Sequence, residues 1–159
     1  MPVIDVANVR PVTVTPEDSV LDAIGRMVAE NVGAVAVCDE ARLAGILTER
    51  DVLRLASEGA RFDELRIGDV MTTRLVTVHP GDDIVAVAHL MGAHRIRHVP
   101  VVEGEHLVGI AGIRDVLGVL AEKLWATHDD ATRETVRELL ARPPRAESAP
   151  ELPRTLRKR

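Results

Sequence analysis

Two short motifs contain the residues whose types and spacing could bind a hydroxyl-rich, anionic ligand. Thr48 and Asp51 stand where a predicted strand gives way to a predicted helix, so Thr48 would be the N-cap and Asp51 the third helical residue. A carboxylate there can accept hydrogen bonds from the vicinal hydroxyls of a ribose, and the exposed N–H groups favour anions. Arg97 and His98, just before a predicted buried strand, could make charge-assisted contacts to phosphate. The two motifs together predict a site for a polyphosphate ligand, although a solvated basic turn is an open alternative for Arg97 and His98.

The Thr-x-x-Asp spacing also has a purely structural interpretation. It matches the capping box, in which the Thr hydroxyl caps the third helical N–H and the acid caps the N–H of the Thr. The acid recurs at Asp115, but the residue three positions before it is Gly112, which has no hydroxyl. Capping alone therefore does not explain both acids.

The acid recurs because the chain contains a tandem duplication. The segment Gly45 to Asp51 returns as Gly109 to Asp115, a separation of 64 residues, and this register needs no gap from Asp5 through Leu53. Apolar positions are kept and surface positions vary. One structural unit is therefore used twice, and we expect the function to lie where the two units meet.

Each copy predicts the same elements in the order β-α-β-β-α. In copy one these are a strand at 12–14, a helix capped by Asp18 or Ser19, strands at 34–38 and 43–47, and a helix at 50–57. The apolar stripe predicted for the first helix consists of Val20, Ala23, Ile24, Met27 and Val28. Copy two predicts a strand at 76–78, a helix around 84–91, strands at 99–102 and 107–110, and a helix at 115–124. The predicted fold is mixed α/β (α+β), with the units packed sheet to sheet around a pseudo-twofold cleft.

The same patterns predict the domain organisation. Unit one is expected at 1–64 and unit two at 65–124, with the join at 59–73. Helical spacing continues through a C-terminal extension at 125–142. Residues 143–159 are rich in Pro, Ala, Glu, Ser and Arg and predict a disordered basic tail.

Composition excludes several classes of protein. The 159 residues include one Phe, one Trp and no Tyr, and the net charge is −5, which argues against a base-stacking reader of nucleic acid. The basic tail leaves a weak nucleic-acid contact open. No apolar run is long enough to span a bilayer, no signal sequence is recognisable, and Cys38 is the single cysteine. These features predict a cytoplasmic protein with no membrane association.

Motifs for catalysis and metal binding are weak. The chain has no Gly-x-Ser-x-Gly, no Walker loop and no Gly-x-Gly-x-x-Gly. Asp82 and Asp83 are interpreted as helix caps, and Cys38 as a buried apolar residue. His94 and His98 are the histidine pair with the closest spacing to a metal site, and the strand predicted after them argues against one. We therefore expect no enzymatic activity and no required cofactor or metal.

At these residues the chain resembles the CBS domain family, specifically a tandem pair, or Bateman module. The resemblance covers residues 5–122 and rests on the Gly45 to Asp51 segment together with Asp69 to Thr72, Val76 to Pro80 and Arg97 to Val102. It implies a non-catalytic regulatory module that binds AMP, ADP, ATP or S-adenosylmethionine between the units. It also implies a homodimer, and it leaves the protein partner unknown.

The resemblance also implies a role for each candidate residue. Thr48 and Asp51 would hold ribose or phosphate, Arg97 and His98 would reach the phosphates, and the segment from Met71 to Thr73 would line the adenine. Asp115 would be the ribose acid of a second, pseudo-equivalent site. Gly112 lacks the family's hydroxyl, and Gly33 and Ala34 offer no cation opposite Asp115. We therefore expect one competent site around Asp51 and a weak, vacant or less charged one around Asp115; the alternative is a dimerisation scaffold that binds no ligand.

Overall fold

A computed structural model of the chain describes residues 1–127 and Glu134. A short 3-10 turn occupies Val3–Asp5. The strands are β1 (Thr13–Val14), β2 (Ala34–Asp39), β3 (Arg42–Thr48), β4 (His98–Glu103) and β5 (His106–Gly112). The helices are α1 (Val20–Ala29), α2 (Glu49–Ser57), α3 (Ile67–Val70), α4 (Ile84–His94) and α5 (Ile113–Thr127). The mixed α/β fold with a repeated unit is confirmed.

The strands form one sheet in the order β1-β2-β3-β5-β4. Within each copy a hairpin pairs its two long strands antiparallel, and β1 adds to β2 in parallel. Strands β3 and β5, one from each copy, pair at the single position of Arg42 and His106. A small apolar cluster of Ala36, Cys38 and Ile110, with Leu43 and Leu107 packed against it, includes side chains from both hairpins. The two half-sheets therefore meet through side chains more than through backbone pairing.

Helix α1 shows how the apolar pattern produces the core of copy one. Ser19 and Asp22 form a capping box at its start, and the pKa of Asp22 is lowered, first by its hydrogen bond with the Ser19 side chain. Val20, Ala23 and Met27 are buried as predicted. Val28, which the pattern also assigned to the buried stripe, is 76% exposed. The prediction for Val28 is wrong because the core-facing stripe of this helix is narrower than the run of apolar residues.

The first strand of copy two is shorter than predicted. In copy one, the N–H of Ala36 donates to the carbonyl of Val12 at 3.0 Å. The equivalent residue of copy two is Pro100, which has no N–H. Only a bridge between Val78 and Val101 survives there, so the strand predicted at 76–78 is reduced to a single pairing position.

The segment leading into each copy, residues 3–8 or 67–72, packs against the other copy's core, and we call these two the exchanged segments. Val3 is fully buried in the cluster of copy two, whereas Ile67 is fully buried in the cluster of copy one. The segments then cross the hairpins at two glycines 64 residues apart. A Cβ on Gly45 would lie 3.1 Å from the Thr72 carbonyl oxygen and 2.5 Å from Met71 Sδ, and a Cβ on Gly109 would lie 3.1 Å from the Asn8 carbonyl oxygen. The join predicted at 59–73 is therefore part of a core and contains α3.

Of the C-terminal region, residues 122–127 and Glu134 are described. Helix α5 continues into it as far as Thr127. The predicted extension at 125–142 lies mostly outside the described residues, and the predicted tail at 143–159 lies wholly outside them. In the described part of the chain, no helix has the length and apolarity of a membrane span.

Candidate functional site

A cavity of about 680 Å³ lies where the two copies meet. This volume is within the roughly 300–1,000 Å³ typical of small-molecule sites. Its apolar lining is aliphatic and comes from both copies: Pro11, Val12, Ile24, Met27, Val28, Val32, Ala34, Val52, Ile110 and Ile113. Its polar lining is Asn8, Asn31, Glu49, Arg97, His98, Arg114 and Asp115, with Gly33 and Gly112 between them. A planar group could be held by the aliphatic side chains while the polar groups select its substituents.

Asp51 and Asp115 occupy the same position in the two copies but have different surroundings. The backbone N–H and the hydroxyl of Thr48 donate to Asp51 Oδ2 at 2.9 and 2.7 Å, and the N–H of Asp51 donates to Thr48 Oγ1 at 3.4 Å. This is the capping box that the sequence allowed. Asp115 instead lines the cavity, and within residues 1–127 its carboxylate has no hydrogen-bond or ion-pair partner. The free acid is therefore the one that lacks a capping hydroxyl.

Arg97 and His98 line this cavity together with Asp115, whereas we expected them to face Asp51. Arg97 Nη2 lies 3.4 Å from the carboxylate of Glu49, an ion pair between the copies. A Cβ on Gly33 would lie 3.1 Å from the His98 ring and 3.3 Å from the Glu49 carboxyl carbon, so both side chains use the space that glycine leaves. Burial lowers the pKa of His98 below its ordinary value of 6.5, which keeps the ring neutral near pH 7.

The remaining candidate residues lie elsewhere. Thr48, Asp51, Met71 and Thr73 are absent from the lining of the cavity. Met71 packs over Gly45, and Thr73 is exposed. The structure thus brings together Arg97, His98 and Asp115 and leaves these four apart from them.

Sequence reasoning missed Asn8, Asn31, Glu49 and Arg114 among the polar lining residues. A signal for Asn8 was present, because the 64-residue register relates the segment from Met71 to Thr73 to the residues around Asn8. Glu49 and Arg114 lie within the repeated motif itself. Arg114 repeats Arg50, which was not a predicted ligand contact, and Glu49 has isoleucine as its counterpart in copy two.

Other titratable groups with shifted pKa values are explained by burial or by helix capping. Cys38 is buried, as predicted, and burial raises the pKa of its thiol. Asp83 caps α4 through the N–H of Val85, and its pKa is lowered, first by the α-amino group of Met1. Across the residues that the structure describes, no group of three or more potential metal ligands comes together.

Comparison with known proteins identifies the class to which this fold and cavity belong. The sequence profile of the CBS domain matches residues 3–58 and again residues 67–122. The two matches correspond to the two copies and together cover well over half of the chain. The chain belongs to the CBS domain family and carries a tandem pair of the domain.

Relatives include two proteins with CBS domains. The chain is 38% identical over 109 residues to the mitochondrial CBS domain-containing protein CBSX3 of Arabidopsis thaliana, covering 65% of this chain and 53% of that protein. It is 35% identical over 113 residues to the CBS domain-containing protein YhcV of Bacillus subtilis, covering 70% of this chain and 80% of the relative. The chain therefore spans about half the length of the plant relative and most of the bacterial one.

A solved CBS pair has the same architecture. The crystal structure of the CBS domain pair of protein MJ0100, in complex with 5′-methylthioadenosine and S-adenosyl-L-methionine, superposes with a TM-score of 0.72 at 25% identity. The alignment covers 77% of this chain and 98% of that chain. The tandem-pair architecture predicted from the sequence is thus confirmed.

Proposed function

We propose that this protein is a non-catalytic regulatory module that binds an adenosine-containing small molecule in the cavity between its two copies. The observation that carries the proposal is the unpaired carboxylate of Asp115 in an aliphatic cavity of suitable volume. Such an acid can accept both ribose hydroxyls, whereas Asp51 would first have to release Thr48. The adenosyl ligands of the MJ0100 pair support the same chemical class.

The proposed site takes its parts from both copies. Asp115 would hold the ribose, and the aliphatic side chains would enclose the adenine. Arg97 and His98 would approach the group attached to the 5′ carbon, and Asn8 would offer the base an amide from the exchanged segment. A ligand that touches both copies can favour one relative arrangement of them, and only such a differential affinity can shift an equilibrium. The pseudo-equivalent site around Thr48, Asp51, Met71 and Thr73 stays a prediction.

A comparison of the two acids tests this function. We expect adenosine, AMP, ATP or S-adenosylmethionine to raise the melting temperature of the wild-type chain, because a ligand at 100 times its dissociation constant adds about 2.7 kcal/mol. Asp115→Ala should weaken binding about 10- to 100-fold in calorimetry, the value of a charge-assisted pair of hydrogen bonds. Asp51→Ala is the matched control and should keep most of the affinity. Equal affinity in wild type and Asp115→Ala would refute the site, and loss in Asp51→Ala alone would move it to the other copy.

A second proposal concerns self-association. Four exposed apolar side chains occur as two pairs related by the repeat: Leu21 and Val85 on the first helices, and Leu53 and Leu117 on the second. Exposed apolar groups that recur in this way favour a partner surface over chance exposure. We propose that these helices mediate homodimerisation. A dimer that forms regardless of adenosyl compounds would favour the scaffold alternative.

A further inference from the structure

Two charges of the polar lining have no counterpart in the repeat: Arg97, which corresponds to Gly33, and Glu49. Glu49 is the first residue of α2, and copy two has Ile113 at the equivalent position. Each of these residues donates its backbone N–H to a carbonyl of its own copy, Glu49 to Gly33 at 3.0 Å and Ile113 to Arg97 at 2.9 Å. The two backbones are therefore equivalent, and the difference between the positions is the side chain.

Glu49 changes the charge balance of the cavity. Among its lining residues, Glu49 and Asp115 are acids and Arg97 and Arg114 are cations. Burial keeps His98 neutral near pH 7. The formal charge of the lining is therefore zero, and without Glu49 it would be positive.

Glu49 also lies beside Arg97 and His98, the two groups proposed to approach the substituent on the 5′ carbon. Its carboxylate pairs with Arg97 at 3.4 Å, and the absence of a side chain at Gly33 lets it approach the His98 ring. A phosphate brought to Arg97 must either displace this carboxylate or lie beside it. Both outcomes cost free energy, and the cost rises with the negative charge of the ligand.

We propose that Glu49 is a specificity-determining residue that selects adenosine compounds with a neutral or positively charged group at the 5′ carbon and disfavours polyphosphates. The inference rests on the proposed function and names the ligand class of that site. A cationic sulfonium or ammonium group near Glu49 gains a partner, whereas a triphosphate meets a like charge. Copy two, with isoleucine at this position, contributes no such selection.

The test compares ligand charge across matched variants. Calorimetry of the full chain would measure adenosine, AMP, ATP and S-adenosylmethionine without divalent cations, so that ATP keeps its full charge. The variants are Glu49→Gln and Glu49→Ile, which introduces the residue of copy two. Glu105→Gln is the control, because Glu105 also pairs with an arginine of the other copy, Arg42 at 3.0 Å, but lies outside the cavity.

We expect both Glu49 variants to lower the ratio of the ATP to the adenosine dissociation constant at least about fivefold, which is the upper end of what an exposed ion pair contributes. AMP should change less, adenosine should stay constant, and S-adenosylmethionine should weaken. Glu105→Gln should leave every ratio unchanged. If adenosine binds but the ATP to adenosine ratio is the same in wild type and the Glu49 variants, the role of Glu49 is overturned and the proposed function stands. Absence of binding by every compound to wild type and variants overturns the proposed function and this inference with it.

Discussion

Asp51 and Asp115 differ because of one hydroxyl three residues earlier. Thr48 engages Asp51 in a reciprocal cap, and Gly112 leaves Asp115 free at the edge of the cavity. A Cβ added to Gly112 would lie 3.0 Å from Asp115 Oδ2, a flexible side-chain end that can adjust. The same acid thus contributes to stability in one copy and is available to a ligand in the other.

Gly112→Thr should convert the free carboxylate of Asp115 into a capped one like that of Asp51. We expect the variant to gain roughly a few tenths of a kcal/mol of unfolding free energy from the new cap and to bind adenosine more weakly, because Asp115 would be engaged by the introduced hydroxyl. Urea denaturation and calorimetry measure the two effects. Thr48→Gly is the control and should lose stability without weakening the ligand. A more stable Gly112→Thr that binds as tightly as wild type would contradict the role of the free carboxylate.

His98 should make stability depend on pH in a defined direction. Burial holds its pKa below 6.5 in the folded chain, so the unfolded chain takes up the proton first. The stability it contributes is complete above about pH 6.5 and declines as the pH falls toward the folded-state pKa. Asp22 and Asp83, with lowered pKa values, act in a separate window below about pH 4. Denaturation between pH 7.5 and 5.5 should show a smaller slope in His98→Gln than in wild type; equal slopes would remove His98 as the cause.

At the scale of elements, proline and glycine decide where the copies differ and where they touch. Pro100 removes the N–H that Ala36 uses to pair with the first strand, so copy two keeps only a bridge. Gly45 and Gly109 allow the exchanged segments to cross their hairpins, because a Cβ would meet backbone oxygen at 3.1 Å in each case.

Gly109→Ala should therefore test the crossing. The new methyl group would press on the carbonyl oxygen of Asn8. The backbone N–H and C=O of Asn8 both form hydrogen bonds with the backbone of Ile110. We expect a loss of about 1–3 kcal/mol of unfolding free energy from overpacking and weaker adenosine binding, because Asn8 lines the cavity. Gly118→Ala is the control, since a Cβ there meets nothing within 4 Å. Equal stability of the two variants would show that the crossing tolerates side chains.

At the scale of the whole molecule, each copy depends on a segment contributed by the other. Val3 completes the core of copy two, and Ile67 completes that of copy one. The two copies should therefore unfold together in a single transition. This coupling is also what would let a ligand between the copies affect a distant surface.

The proposed self-association is tested at the exposed apolar residues of the helices. Leu53→Glu and Leu117→Glu introduce charge at repeat-related positions that are 72% and 52% exposed. We expect each to shift a dimer toward monomer in analytical ultracentrifugation, because a buried, unpaired charge costs several kcal/mol. Val9→Glu, at an exposed residue outside the helices, is the control and should not change the mass. Unchanged assembly in both leucine variants would exclude these helices as the interface.

The sequence by itself determined the repeat, the family and most elements of each copy, because these depend on residues close together in the chain and on a register that can be read by alignment. It allowed the capping box at Thr48 and Asp51 without choosing it over a ligand role, and it did not predict α3. The tertiary structure decided which acid is free and which residues share its cavity. Arg97 and His98 meet Asp115 and Glu49, because the cavity is assembled from both copies and from an exchanged segment. Contacts between elements far apart in the chain depend on packing, and the spacing of residues along one copy does not report them.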